Sequence, residues 1–206
     1  MYIFRRNASI RPERMMDGMA FAVTIAAQAS AVIGRPISVF NTVYGQPMGS
    51  IGWTCRMDSL ADAHDVATKL AGDPGYMEAA VAGTDLFAGP ASDALTSIVS
   101  SSLTPAVQRF YASTVATMAN GKAAEAMAFG VQVQSLMASK GFNTAFGTST
   151  FGTYGEVGWL TGADTMAELD RFTAVLAEPE VARVVISSGP LFNAGSGHNM
   201  LVERIN

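Results

Sequence analysis

Met19-Ala20-Phe21-Ala22-Val23, inside the uncharged run GMAFAVTIAAQASAVIG at residues 18–34, recurs as Met127-Ala128-Phe129-Gly130-Val131. Extended backward, that register lays Ala8 over Ala116, Arg14 over Lys122, Asp17 over Glu125 and Tyr2-Ile3-Phe4 over Phe110-Tyr111-Ala112. Downstream, after a small deletion, Phe40 falls on Phe146, Thr42 on Thr148, Gly49 on Gly155 and Gly52-Trp53 on Gly158-Trp159. Asp58 then meets Asp164, Leu70-Ala71 meets Leu176-Ala177, and Leu86-Phe87 meets Leu191-Phe192. A repeat of roughly 100 residues is too long for a solenoid and reads as two similar domains. The expected boundaries are 1–102 and 103–206, with Ser100–Pro105 as the linker.

Arg5, Arg6, Arg11 and Arg14 precede the apolar run, and Ala29-Ser30-Ala31 ends it, which is the layout of a secretory signal. A membrane span is disfavoured, because the run falls just short of about 20 residues and carries Thr24, Gln28 and Ser30. The second copy decides between these readings. There the matching segment, GKAAEAMAFGVQVQSLMASKG, lies mid-chain and bears Gln132, Gln134, Ser135 and Lys140. Both copies are therefore read as core helices, and a cytoplasmic protein is expected.

Composition narrows the classes. With 206 residues, 49% of them hydrophobic, the chain can bury a real core, and disorder is excluded. One cysteine rules out a disulfide framework or a multi-cysteine metal site within the chain. A net charge of −4, with Lys69, Lys122 and Lys140 as the only lysines, argues against nucleic acid. Two histidines leave little for a metal site, and neither G-x-G-x-x-G nor a P-loop run occurs to hold a nucleotide, so no metal and no cofactor are expected.

Each half opens with a strand-like run, Tyr2–Ile10 or Val107–Met118, followed by a helix of about 18 residues. Two β-rich runs follow, 36–44 and 50–57 in the first half and 143–151 and 156–162 in the second, each pair joined by a glycine-rich turn. A second helix begins behind Asp58-Ser59 or Asp164-Thr165, with Asp62 or Glu168 in its first turn. A last strand, 93–100 or 198–205, completes βαββαβ. The expected fold class is α+β: two tandem ferredoxin-like units whose sheets cover one another's bare faces as an α/β barrel.

The residues Gly52-Trp53, Asp58-Ser59-Leu60, Leu70-Ala71-Gly72-Asp73-Pro74 and Gly75-Tyr76-Met77-Glu78 carry a family likeness, as do Gly158-Trp159, Asp164-Thr165-Met166 and Leu176-Ala177-Glu178-Pro179-Glu180. In them the chain resembles the dimeric α/β-barrel superfamily, which includes antibiotic-biosynthesis monooxygenase-like, EthD-like and NIPSNAP-like proteins. The resemblance implies a small-molecule site between the sheets and cofactor-independent oxygenation. Haem-degrading members use an Asn on the first strand, a Trp in the second helix and a His soon after. Asn7 is present, but alanines stand near 63 and at 79–80, so haem binding, through Tyr76 or His198, is a distant alternative.

Positions that differ between the copies are where one copy can have specialised. His198 is the catalytic candidate, as a base or proton shuttle at a strand end, against the plainer reading of an exposed histidine. His64 reads as part of a solvated helix face. Arg5 and Arg6 alternate on the first strand, so one of them can face the inter-sheet space and grip an anion, unless it serves only in an ion pair. Phe40, Thr42 and Tyr44, with Ser38, share one strand face and are expected to be repeated by Phe146 and Thr148 as substrate-binding residues or as plain core. The expected partner is a small apolar or aromatic ligand, with no nucleic acid and no membrane, and a homo-oligomer as an open option. The competing reading is a non-enzymatic binding or interaction protein with a filled core.

Overall fold

The computed structural model describes residues 1–206. In chain order the elements are β1 (Tyr2–Ser9), α1 (Met15–Ile33), β2 (Ser38–Tyr44), β3 (Ser50–Met57), α2 (Leu60–Ala71), α3 (Pro74–Ala82) and β4 (Ser92–Ser101). The order then repeats as β5 (Phe110–Thr117), α4 (Ala123–Ser139), β6 (Asn143–Phe151), β7 (Glu156–Ala163), α5 (Met166–Leu176), α6 (Pro179–Ser187) and β8 (His198–Arg204). The strands join in the order β1-β3-β2-β8-β5-β7-β6-β4 and close into a barrel, which is the α+β class expected of ferredoxin-like units. Two compact units are distinguished, Met1–Thr96 with Glu203–Asn206, and Ser97–Val202. The final residues belong with the first unit because the Ile205 amide donates to the Val39 carbonyl at 2.9 Å. Asn206 also accepts from the Val39 amide at 2.9 Å and donates to the Ile37 carbonyl at 2.8 Å.

In the first unit α1 turns a stripe of small and branched residues, Gly18, Ala22, Ile25, Ala26, Ala29 and Ile33, into the core. Residues at that helical spacing share one face, and Ala22 and Ala26 pack with Ala8, Ile10, Val39 and Ile51 of the sheet. The segment Pro12–Ile33 is long and apolar enough to cross a membrane by length and composition alone. Here its stripe lies on the sheet. The Trp53 indole donates to the Ala22 carbonyl at 3.0 Å, while Phe87 meets both Trp53 (6.0 Å) and Phe21 (5.9 Å) edge to face. α2 covers the rest of that sheet face through Val66, which packs with Cys55, Met57 and Leu95. Its N-cap is Ser59, whose hydroxyl accepts from the Asp62 amide.

The second unit repeats this arrangement with matched residues. Trp159 donates to the Gly130 carbonyl at 3.1 Å, and Phe129, Trp159 and Phe192 form the same edge-to-face triad. The Ile10 and Met118 amides each donate at 2.9 Å to the carbonyl of a hairpin glycine, Gly49 and Gly155. Both glycines have φ in the left-handed region, +87° and +73°, and a Cβ on Gly49 would stand 2.8 Å from the Ile10 carbonyl oxygen. α5 begins with a capping box of Thr165 and Glu168.

The pairing of the two β2-type strands differs from the expected one. Val39 lies opposite Trp53, and Phe146 lies opposite Trp159, so Phe146 is the counterpart of Val39 and not of Phe40. Thr148 likewise matches Asn41. A one-residue shift in a strand moves every side chain to the other face. Phe146 therefore packs on α4, fully buried, while Phe40 lies on the face away from the helices. The exchange conserves volume: Val39 and Ala22 fill the place that Phe146 and Gly130 fill in the second unit, where a Cβ on Gly130 would overlap the Phe146 ring. Gly130→Ala is expected to destabilise by about 1–3 kcal/mol through overpacking. Adding Phe146→Val should recover part of that loss. Chemical denaturation of the two single variants and the double variant measures this coupling, and strict additivity would contradict it.

Candidate functional site

Trp53, Cys55 and Met57 point to the helices, so Gly52, Thr54 and Arg56 of β3 face the other way. Across the ladders, Arg5 of β1 and Ser38 of β2 flank Thr54, and Asn7 and Phe40 flank Gly52. The helix-free face of the first unit thus carries two rows across three strands, Arg5–Thr54–Ser38 and Asn7–Gly52–Phe40. A Cβ added at Gly52 would meet only the Asn7 Oδ1 at 3.1 Å and the Arg6 carbonyl at 3.7 Å, so the second row has a low centre between an amide and a phenyl ring. Phe40 and Ser38 are buried; Arg5, Asn7 and Thr54 are half-buried. None of the side chains of Arg5, Asn7, Ser38 and Thr54 makes a hydrogen bond or ion pair within the chain.

Of these positions the second unit keeps only the glycine, Gly158 for Gly52. Ser113, Leu160 and Ala145 replace Arg5, Thr54 and Ser38, and Val115 and Gly147 replace Asn7 and Phe40. Further along that face, Gln108 and Tyr111 are buried, with 5% and 6% of their surfaces exposed. The Tyr111 hydroxyl accepts from the Gln108 amide at 3.1 Å, and the Gln108 carboxamide lies where a Cβ of residue 162 would stand, which explains the glycine there. The Gln108 Oε1 has no partner.

The remaining sequence candidates fall in different places. Arg6 points to the helix side, where its Nε and Nη2 donate to the two Asp93 carboxylate oxygens at 2.8 and 2.7 Å. Tyr76 of α3 also approaches it there and, after Asp93, helps hold the guanidinium charged. Thr42 is half-buried, and Tyr44 is 68% exposed near the end of β2. Phe146 and Thr148 are on the helix side of β6, with the Thr148 hydroxyl donating to the Glu156 carbonyl at 3.2 Å. His198 opens β8; Asn199 beside it accepts from the Thr114 hydroxyl at 2.7 Å on the helix side, so alternation turns His198 to the helix-free side of its own unit, half-buried. His64 is exposed on α2.

Thr54 was not among the residues singled out from the sequence, although the helix-facing Trp53 beside it is the signal that places it. Cys55 is buried, with its Sγ 3.8 Å from the Pro36 carbonyl; burial pushes the thiol pKa up, only partly offset by Arg35. Arg35 itself forks onto Asp62 at 2.7 and 2.8 Å. No group of three or more His, Cys, Asp or Glu side chains lies close enough to share a metal ion.

No protein-family profile and no curated protein matches the sequence. Solved structures do match. A candidate monooxygenase from Fusobacterium nucleatum subsp. nucleatum superposes with a TM-score of 0.73 at 5% identity, over 100% of this chain and 92% of that one. One from Lactobacillus acidophilus NCFM gives 0.66 at 10% identity, over 98% and 93%. An anthrone oxidase-like protein gives 0.66 at 11% identity, over 100% and 91%. This chain has the dimeric α/β-barrel fold. At such identities the likeness to other dimeric α/β-barrel proteins is one of fold, and chemistry has to be argued from the side chains.

The Arg35–Asp62 pair gives the first unit a pH signature. The Arg35 guanidinium, helped by the Asp58 amide, holds the Asp62 carboxyl below the usual aspartate range. A carboxylate depressed on folding contributes stability that is present above its unfolded pKa and lost as pH falls through the folded one. Asp62→Asn is therefore expected to melt below wild type at neutral pH, with the gap closing in strong acid. Thermal melts from neutral to strongly acid pH check this, and a pH-independent gap would contradict it.

Proposed function

We propose that the chain binds an aromatic small molecule on the helix-free face of its first unit and, in the finer reading, oxidises it with dioxygen without a cofactor. The observation that supports this best is the group of four side chains, Arg5, Asn7, Ser38 and Thr54, that lack internal partners beside the buried ring of Phe40. Converging polar groups beside an aromatic ring can fix the orientation of a ligand that stacks there. With no internal bond to break, these polar groups are available to a ligand. The anthrone oxidase-like and monooxygenase-described structures favour oxygenation of an activated methylene flanked by aromatic rings. Its balance is CH2 + O2 → C=O + H2O, and the protein's part is to hold the substrate and accept one proton. His198 is the proton acceptor in this reading, as a side-chain base half-buried on the helix-free side of its own unit. α1 is a core helix in this reading, and the protein is cytoplasmic.

A second reading, a binding module without catalysis, has its own support in the second unit, where Gln108 and Tyr111 fill the corresponding face.

Oxygen uptake with anthrone, followed in parallel with fluorescence titration of N-phenyl-1-naphthylamine, separates the two. Oxygenation predicts uptake that falls about 100-fold or more in His198→Ala while probe binding is unchanged. Binding without uptake supports the module, and loss of probe binding in Phe40→Ala locates the ligand. If wild type binds no probe, the face is not an aromatic site.

A further inference from the structure

We infer that the molecule held on this face is an aromatic anion whose oxyanion is seated on Arg5; this rests on reading the face as an aromatic binding site. Arg5 and Arg6 are neighbours on β1, yet their situations are opposite. Both arms of the Arg6 fork are taken by Asp93 on the helix side. Arg5, on the other face, is half-buried and has neither hydrogen bond nor ion pair. Nor do these strands hold a carboxylate in reserve. Asp93 is the only acidic residue in β1, β2, β3 and β4, and Arg6 occupies it.

A guanidinium loses hydration when it is partly buried, and an acidic partner normally offsets that cost. Arg5 makes no such pair, and β1–β4 leave it no free carboxylate, which makes a ligand oxyanion the natural counterpart. The neighbours suit one. Thr54 lies directly opposite Arg5, and Ser38 directly opposite Thr54, so two hydroxyl donors continue the row that the guanidinium begins. Adjacent strands are about 4.8 Å apart, which lets one oxyanion accept from the planar Arg5 fork and from the Thr54 hydroxyl together. In the next row Gly52 leaves a low centre bordered by Phe40, and the ring carrying that oxyanion is assigned there. The second unit has Ser113, Leu160 and Ala145 at the corresponding positions and offers no such seat.

Two probes with one aromatic skeleton test this: 8-anilinonaphthalene-1-sulfonate carries an oxyanion, and N-phenyl-1-naphthylamine does not. Each is titrated by fluorescence into the full-length wild type, Arg5→Gln and Arg6→Gln, with a thermal melt of every protein. The expected result is that wild type prefers the sulfonate by about tenfold or more. Arg5→Gln should abolish that preference while keeping the affinity for the neutral amine, and Arg6→Gln should leave the preference intact. Equal binding of both probes by wild type, or an unchanged preference in Arg5→Gln, overturns the anion assignment while leaving the aromatic site standing. Failure of both probes to bind overturns the assignment together with the reading beneath it. Should Arg5→Gln not melt cooperatively, salt applied to wild type decides: going from about 20 mM to about 500 mM NaCl must weaken the sulfonate and spare the amine, and an equal response of both overturns the assignment.

Discussion

An indole N–H docked on a helix carbonyl sets the spacing between helix and sheet in each unit. Trp53 reaches the Ala22 carbonyl and Trp159 the Gly130 carbonyl, at 3.0 and 3.1 Å. A bond of that length requires a small residue on the facing helix turn, since a larger side chain would hold the helix away from the ring. It also leaves the indole edges to be closed by other rings, and Phe21 with Phe87, or Phe129 with Phe192, close them. Most of the identities between the halves follow from this single contact. The difference at Val39 and Phe146 follows as well, because the space over the helix turn is fixed and is divided differently between strand and helix residue.

These helix-side residues were the ones legible in the sequence. The Met-Ala-Phe repeat, Gly-Trp, and the caps Ser59 and Thr165 each mark a local necessity, and the elements came where those signals placed them. The strand β6 was harder. Phenylalanine at both 40 and 146, and threonine at both 42 and 148, made an attractive match one residue out of register. Strand register is decided by what lies across the ladder, and only the position opposite Trp159 settles it. The same limit applied to the candidate site. Alternation separates Arg5 from Arg6 but does not say which faces the helices; Asp93, distant in sequence, does. Gln108 gave no signal at all, because its place is defined by the glycine at 162.

The two faces of each sheet therefore carry different kinds of information. The side toward the helices keeps its packing anchors, Ala8 with Ala116 and Trp53 with Trp159, while Phe4 and Ala112, Arg6 and Thr114, Met57 and Ala163, and Val39 and Phe146 differ in size or polarity. The opposite side differs at Arg5 and Ser113, Asn7 and Val115, Ser38 and Ala145, Phe40 and Gly147, and Thr54 and Leu160, while Gly52 and Gly158 alone agree. The polar rows that only the first unit carries make it the place to look for chemistry, since the second unit keeps the same fold without them.

The divergence also bears on the stoichiometry that the proposed site would have. Two identical units would present two equivalent seats and could let the first guest influence the second. With the polar rows confined to one half, a ligand seated on them would saturate at one equivalent per chain, and a sigmoidal isotherm would have to arise from association between chains.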